Sequence, residues 1–269
     1  MAGTAPGSKD FLLVIPAFEE SGRLPPFLEA LAAALAGQPF QSEIRIVDDG
    51  SCAAERERLV RAVQPLREKF DGILDPLFLH GNSGKGAAIL AGWRHRPDAR
   101  WLAFADADGA VSPAEISRVF GMIFARGAEA ACVFGSRVKM LGRVIERSTM
   151  RHFIGRIFAS MVGNLIDPRV YDAQCGFKII SRRAFAAIDP LLVETGFAFD
   201  VELMCALLDS GFRIEEVPVD WSDVPGSKVS LVRDTLRMFF SLQKIRARRA
   251  RWTFAKAGGT VAVSQSTND

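Results

Sequence analysis

The chain has 269 residues, 49% hydrophobic and 24% charged, enough to bury one large core and too apolar for a disordered chain. Its formal net charge of +3 is too small to argue for a nucleic-acid partner. Four cysteines without C-x-x-C spacing (Cys52, Cys132, Cys175 and Cys205) and only three histidines argue against a zinc site or a disulfide framework and fit a reducing, cytoplasmic setting.

The first nine residues, rich in Gly, Ala, Ser and Pro, read as a flexible leader, and residues 255–269 as a flexible tail. No apolar run reaches the ~18–20 residues of a membrane span, and the N-terminus lacks the pattern of a signal peptide. Phe11–Ile15 predicts a buried parallel strand stopped by Pro16. Leu24–Ala36 predicts a helix opened by Pro25 and Pro26 and closed by Gly37. Glu43–Val47 predicts the next strand, and Ala53–Lys69 a charged surface helix. A strand near Leu74–Leu79 leads into His80–Gly86 and a helix from Ala87. Trp101–Ala105 predicts a strand. A helix follows it, with Ser112 as cap, Pro113 at its first position and Glu115 completing a capping box. Ala130–Phe134 predicts a strand. Residues 138–170 read as helical and basic, 177–180 and 213–221 as strands, 198–208 as a helix, and 231–249 as a basic amphipathic helix.

Strand, loop and helix in repetition mean a Rossmann-like, mainly parallel sheet flanked by helices. Such α/β folds bind ligands at the carboxyl ends of their strands. Glu19, Glu20, Asp48, Asp49, Lys85, Asp106, Asp108 and Arg137 all fall at those ends, which points to one shared site. Asp106 and Asp108, two residues apart just past a buried strand, can aim at one hard cation, Mg2+ or Mn2+; a solvated turn is the alternative. Asp48 and Asp49 can accept hydrogen bonds from a nucleobase, or simply cap a turn. Gly84-Lys85-Gly86 opens a helix whose N-terminus suits an anion, without the full Walker A pattern. Arg137, Arg143, Arg147, Arg151 and Arg156 form a dense series that suits phosphate or a solvated face. Asp200 and Glu202 open an otherwise apolar helix, where they are costly to bury unless paired or used.

These segments together resemble the inverting family 2 glycosyltransferases of the GT-A fold, and within them the polyprenyl-phosphate branch with its dolichyl-phosphate glucosyltransferases. The resemblance rests on Pro16–Pro25, Val47–Ser51, Asn82–Gly86, Asp106–Ala110, Gly135–Arg137, Asp172–Lys178, Phe199–Leu203 and Gly226–Lys228, in order over residues 11 to about 245. It implies a catalytic domain over residues 10–228, followed by the basic helix at 229–254. Pro16, Ala17 and Glu20 would line the nucleoside, and Asp48 and Asp49 would contact base and ribose. Lys85 and Lys228 would lie near the diphosphate, Asp106 and Asp108 would hold the metal, and Arg137 and Arg151 would grip the acceptor phosphate. Asp200, or Asp172, would orient the acceptor side or act as base. Three departures stand out. Glu19 replaces the family's usual Asn, Gly155 replaces a Ser of related mannosyltransferases, and the membrane helices of some relatives are not present in this sequence.

The implied reaction is inverting transfer of a hexose, glucose from UDP-glucose, to a polyprenyl or dolichyl monophosphate, with Mg2+ or Mn2+. GDP-mannose as donor, an acceptor other than a lipid phosphate, and a nucleotide-sugar-binding protein without turnover stand as alternatives. The C-terminal helix carries Val232, Leu236, Phe239, Leu242 and Ile245 on one face and Arg233, Arg237, Lys244, Arg248 and Arg251 on another. That pattern suits peripheral contact with an anionic membrane or packing on the core.

Overall fold

The computed structural model describes residues 9–96, 98–127, 132–137, 145–146, 174–222, 224 and 231–252. The elements are β1 (Phe11–Ala17), α1 (Leu24–Leu35), β2 (Ser42–Asp48), α2 (Ala53–Lys69), β3 (Leu77–Phe78), α3 (Lys85–Arg94), β4 (Trp101–Ala105), α4 (Pro113–Arg126), β5 (Cys132–Ser136), β6 (Ile145–Glu146), β7 (Phe177–Ser181), α5 (Arg182–Ile188), α6 (Phe199–Asp209), β8 (Ile214–Pro218), β9 (Trp221–Ser222) and α7 (Leu231–Arg249). Seven strands form the central sheet in the order β3-β2-β1-β4-β7-β5-β8, and β6 and β9 pair separately.

The sheet is buried on both faces because its strands are apolar at successive positions, not at alternate ones. Along β1, Leu12 and Val14 join a core with Trp93 of α3, Phe199 and Leu203 of α6, and Leu242 and Ile245 of α7. Phe11, Leu13 and Ile15 face the other way, against Leu28 and Leu31 of α1 and Phe120 of α4. Phe11 stacks between Trp101 and Phe120, with ring centroids 5.0 and 4.2 Å away.

β7 is antiparallel and lies in the middle, between β4 and β5. The alternation of strands and helices carried no sign of it, since a reversed strand buried on both faces reads like a parallel one. Other expectations are corrected too. β1 continues through Pro16, which pairs with Val47. β4 accompanies β1 only as far as Val14, so beyond it the missing proline N–H faces no second strand. The strand expected over Leu74–Leu79 shortens to Leu77–Phe78, and the segment 213–221 divides into β8 and the start of β9. Residues 145–146, expected within a helix, pair with β9 as β6; the rest of 138–170 lies outside the described residues. Of the capping box only half forms. Ser112 Oγ accepts from Glu115 N at 3.3 Å, while the Glu115 carboxylate binds Arg118.

α7 does not present all its charge to solvent. Arg248 binds Glu202 at 2.6 Å and Arg249 binds Asp209 at 2.5 Å, while Leu242 and Ile245 are buried. Arg248, expected on a solvated face, therefore points inward. No helix of the described residues is long and apolar enough to cross a membrane.

Candidate active site

The parallel strands β1, β2 and β4 end on one edge of the sheet, and the turns leaving that edge carry the acids. Asp48 ends β2; it accepts from Ser51 N at 3.0 Å and lies 3.3 Å from Arg56 Nε. Asp49 accepts from the N–H groups of Ser83 and Gly84 at 2.8 and 2.7 Å, and its own N–H donates to Ala17 O. Burial pushes the Asp49 pKa up, against the pull of those two donors. Both acids are buried and tie the β1, β2 and pre-α3 turns to one another.

The turn after β1 is held in the same way. Glu19 N donates to Ser51 Oγ at 2.8 Å, and Ser21 N to Glu55 Oε1 at 2.9 Å. Glu20 receives Arg23 through two hydrogen bonds of 2.8 and 2.7 Å. The Ser21 hydrogen bonds, followed by Arg58, hold the Glu55 carboxyl down to about 2. Glu19 has φ 54°, a left-handed backbone that Asn adopts readily and Glu does not. That conformation gives a physical reason for the Asn of the resembling family at this position.

The helix α3 starts at Lys85 from Gly84, whose φ is 104° and where a Cβ would overlap the Thr195 carbonyl oxygen. Only glycine fits there, and the close approach brings the 193–198 loop against the helix start. Glu202, buried, secures that loop by accepting from Val193 N and Glu194 N at 2.9 and 2.6 Å. Arg248 of α7 closes the same anchor from behind.

β4 delivers Asp106 and Asp108. The Asp106 N–H donates to Gly176 O at 3.0 Å, and a Cβ at Gly176 would overlap Asp106 Oδ2. Asp108 accepts from Ala110 N at 3.0 Å; burial first, and the neighbouring Asp106 second, push its pKa up. Lys85 Nζ lies 2.8 Å from Asp106 Oδ1 and 3.3 Å from Asp200 Oδ2. Burial works against the charged form of Lys85, but the two carboxylates outweigh it and raise its pKa above the usual lysine value. The other oxygen of Asp200 binds Lys178 Nζ at 2.6 Å, and Lys178 also donates to Cys175 O at 2.7 Å. The row runs Lys178, Asp200, Lys85, Asp106, from the core outward. The Asp200 side chain is 4% exposed and that of Asp106 38%.

Arg137 follows β5 and sets its guanidinium 5.6 Å from the Trp221 ring centroid. Trp221 forms an antiparallel bridge with Val111, and Ser222 N donates to Ala110 O at 3.0 Å. The Asp106–Ala110 turn thus joins Arg137 through Trp221. Asp172, Arg151 and Lys228 lie outside the described residues, as do Arg143, Arg147 and Arg156.

The oxygen-only donor set of Asp106 and Asp108 fits a hard divalent cation. Two acids stand together, and the charge of Asp106 adds to burial in raising the Asp108 pKa. Among the described residues no three acids, histidines or cysteines converge on one point, so Asp106 and Asp108 are the ligands the described residues offer here. Asp200 was expected as a catalytic residue. It is buried with both oxygens bound to ammonium groups; burial raises its pKa, and Lys178 and Lys85 outweigh that and lower it. A carboxylate so held is a weaker base than a free aspartate. Two residues escaped the sequence reading, although it quoted the segment that holds them. Gly176 shapes the seat of Asp106. Lys178 is a lone cation in the apolar run Phe177-Lys-Ile-Ile180, and that placement was the available signal.

The Glycosyl transferase family 2 model matches residues 12–189. The chain belongs to this family. It is 31% identical over 248 residues to dolichyl-phosphate beta-glucosyltransferase of Saccharomyces cerevisiae, covering 87% of this chain and 73% of the yeast protein. The Mus musculus protein of the same name is 29% identical, over 90% and 76% of the two chains. Glucosyl-3-phosphoglycerate synthase from Mycobacterium tuberculosis, solved with Mn2+, UDP-glucose and phosphoglyceric acid, superposes with a TM-score of 0.67 at 12% identity, over 96% of this chain and 88% of that one. Mannosyl-3-phosphoglycerate synthase from Rubrobacter xylanophilus gives 0.62 at 15% identity, over 90% and 74%. The family 2 chain is therefore a glycosyltransferase with a GT-A fold.

Proposed function

We propose that this glycosyltransferase transfers glucose from UDP-glucose to a dolichyl or polyprenyl monophosphate with inversion at the anomeric carbon, using Mg2+ or Mn2+ on Asp106 and Asp108. The observation that carries the reading is the meeting of Asp106, Asp108 and Lys85 at the start of α3, at the carboxyl edge of the sheet. The names of the relatives and the UDP and Mn2+ in the solved neighbours support it.

Asp106 and Asp108 would hold a divalent cation there, whose charge would neutralise the leaving diphosphate. Lys85 adds positive charge at a helix N-terminus, where an anion is favoured. Lys228 would add a second positive charge near the diphosphate. Pro16, Ala17 and Glu20 line the nucleoside, and Asp48 and Asp49 hold the turns that shape its pocket. Arg137, braced on Trp221, grips the acceptor phosphate with Arg151. A phosphate monoester has a second pKa near ~6 and is mostly ionised at neutral pH, so it attacks without a general base. The engagement of both Asp200 oxygens accords with that. Asp200, or Asp172, would serve as base for an acceptor that is an alcohol. The catalytic unit spans residues 10–228, and the outward side of α7, with exposed Phe240 and Lys244, makes peripheral contact with an anionic membrane.

The test is transfer by the purified chain with Mn2+, from UDP-glucose or GDP-mannose, to dolichyl phosphate or to unphosphorylated dolichol. The expected product is β-linked glucosyl phosphate lipid, from UDP-glucose and the phosphorylated acceptor alone. Transfer only from GDP-mannose, or equally well to dolichol, would overturn the reading. Flotation with anionic liposomes tests α7, and no binding removes the membrane contact.

A further inference from the structure

Lys85 sits where the proposed metal site has its charge. Its ammonium lies 2.8 Å from Asp106 Oδ1, and a divalent cation on the same carboxylate would repel it. It has a second anion within reach, Asp200 Oδ2 at 3.3 Å. Asp200 cannot follow it, because Lys178 holds the other oxygen at 2.6 Å. Lys178 is itself immobilised, 0% exposed, donating to Cys175 O and lying 5.3 and 5.2 Å from the ring centroids of Phe104 and Phe134. Those rings belong to β4 and β5, which flank Lys178 on β7 in register.

A buried ion pair such as Lys178–Asp200 is a poor stability device, since an apolar pair of similar volume often does as well. Here it has another consequence. With Lys178 in place, Asp200 is already partly neutralised and does not draw Lys85 wholly inward; Lys85 is shared between a fixed inner acid and an exposed outer one. We propose that Lys85 is an internal counter-cation on Asp106, that it hands its contact over to Asp200 and the donor diphosphate when the metal site fills, and that metal uptake is thereby coupled to donor binding, with Lys178 and Asp200 as positioning residues. Without diphosphate, Lys85 must give up Asp106 for Asp200 alone. With diphosphate it gains a new partner at the start of its own helix. By linkage, metal and nucleotide then raise each other's affinity by one common factor.

The inference rests on the metal reading of Asp106 and Asp108, and the experiment separates the two. Mn2+ binding is measured by the loss of the free-ion electron paramagnetic resonance signal, with and without UDP, on the full chain. The variants are Lys85→Met, Asp200→Asn and Lys178→Met. Wild type should bind Mn2+ weakly alone and much more tightly with UDP. Lys85→Met should bind Mn2+ roughly tenfold more tightly without UDP and lose roughly tenfold of the UDP coupling, the scale of one charged hydrogen bond. A Lys85 that stayed in place would repel the metal equally in both states, and its removal would leave the coupling unchanged. Asp200→Asn, which leaves Lys85 only Asp106, should weaken Mn2+ binding without UDP. Lys178→Met, which frees Asp200 to draw Lys85 inward, should strengthen it. Thermal melts check that each variant is folded; should Lys178→Met fail to fold, the Lys85 and Asp200 variants decide. A coupling factor within twofold of wild type in Lys85→Met sinks the inference while leaving the metal site standing. No Mn2+ binding by wild type even with UDP overturns both.

Discussion

Two acidic turns leave the same edge of the sheet on either side of β1, and they have opposite fates. Asp48 and Asp49 are buried; Asp48 Oδ1 accepts from Ser51 N and faces Arg56, and both Asp49 oxygens accept from the N–H groups of Ser83 and Gly84. Among the described residues, Asp106 stays partly open with a single ammonium group on it, and Asp108 has one backbone donor. A pair of acids after a buried strand is the same signal in both cases. What differs is the supply of donors around it. A satisfied acid holds a scaffold, and an undersatisfied one is ready for a ligand.

The sharpest way to break this contrast is Asp106→Ala. Metal-dependent transfer should fall by about three orders of magnitude or more, with the melting temperature close to wild type, as read in a transfer assay and a thermal melt. Asp49→Ala should do the reverse in kind. It leaves two backbone donors without an acceptor, and urea unfolding should show a loss of about 2–4 kcal/mol. Equal destabilisation by the two substitutions would erase the distinction between the turns.

Gly176→Ala tests the seat of Asp106. Its Cβ would have to displace the carboxylate, so Mn2+ affinity should drop roughly 10- to 100-fold, the range for groups that orient a ligand, with a small effect on unfolding. The turn at Glu55 gives a pH test. Its pKa lies at about 2 in the fold against the ordinary glutamate value of 4.5, so its stabilisation is complete above pH 4.5 and is lost as pH falls toward 2. Acid unfolding of Glu55→Gln should lack that component. The smallest effect is expected at Glu19→Asn, which relieves a left-handed backbone and should stabilise the fold by about 0.5–1 kcal/mol in urea unfolding.

Much of the sheet and its edge was legible because apolar runs such as Trp101–Ala105, ended by acids, mark both a strand and its functional end. The direction of β7 was not legible, since strand polarity is set by the neighbours a strand meets and not by its own side chains. Within the site, Asp106 and Lys85 could be marked from their positions, but the sequence spacing of 115 residues between Lys85 and Asp200 hides the contact between them. Lys178 was hidden for the opposite reason. Its strand is otherwise apolar, and a buried cation declares its purpose only once its partner is known.

The central place of β7 also bears on how the molecule is made. Residues 177–181 fill the gap between β4 and β5, so as the chain grows from its N-terminus the β4 edge has no partner until more than 70 residues after Ala105 have emerged. During that interval β4 is a bare, wholly apolar ladder edge of the sort that recruits other chains. The strand that carries Lys178 to Asp200 is therefore also the one that covers this edge, and a chain truncated before residue 177 would lack the strand that joins β4 to β5.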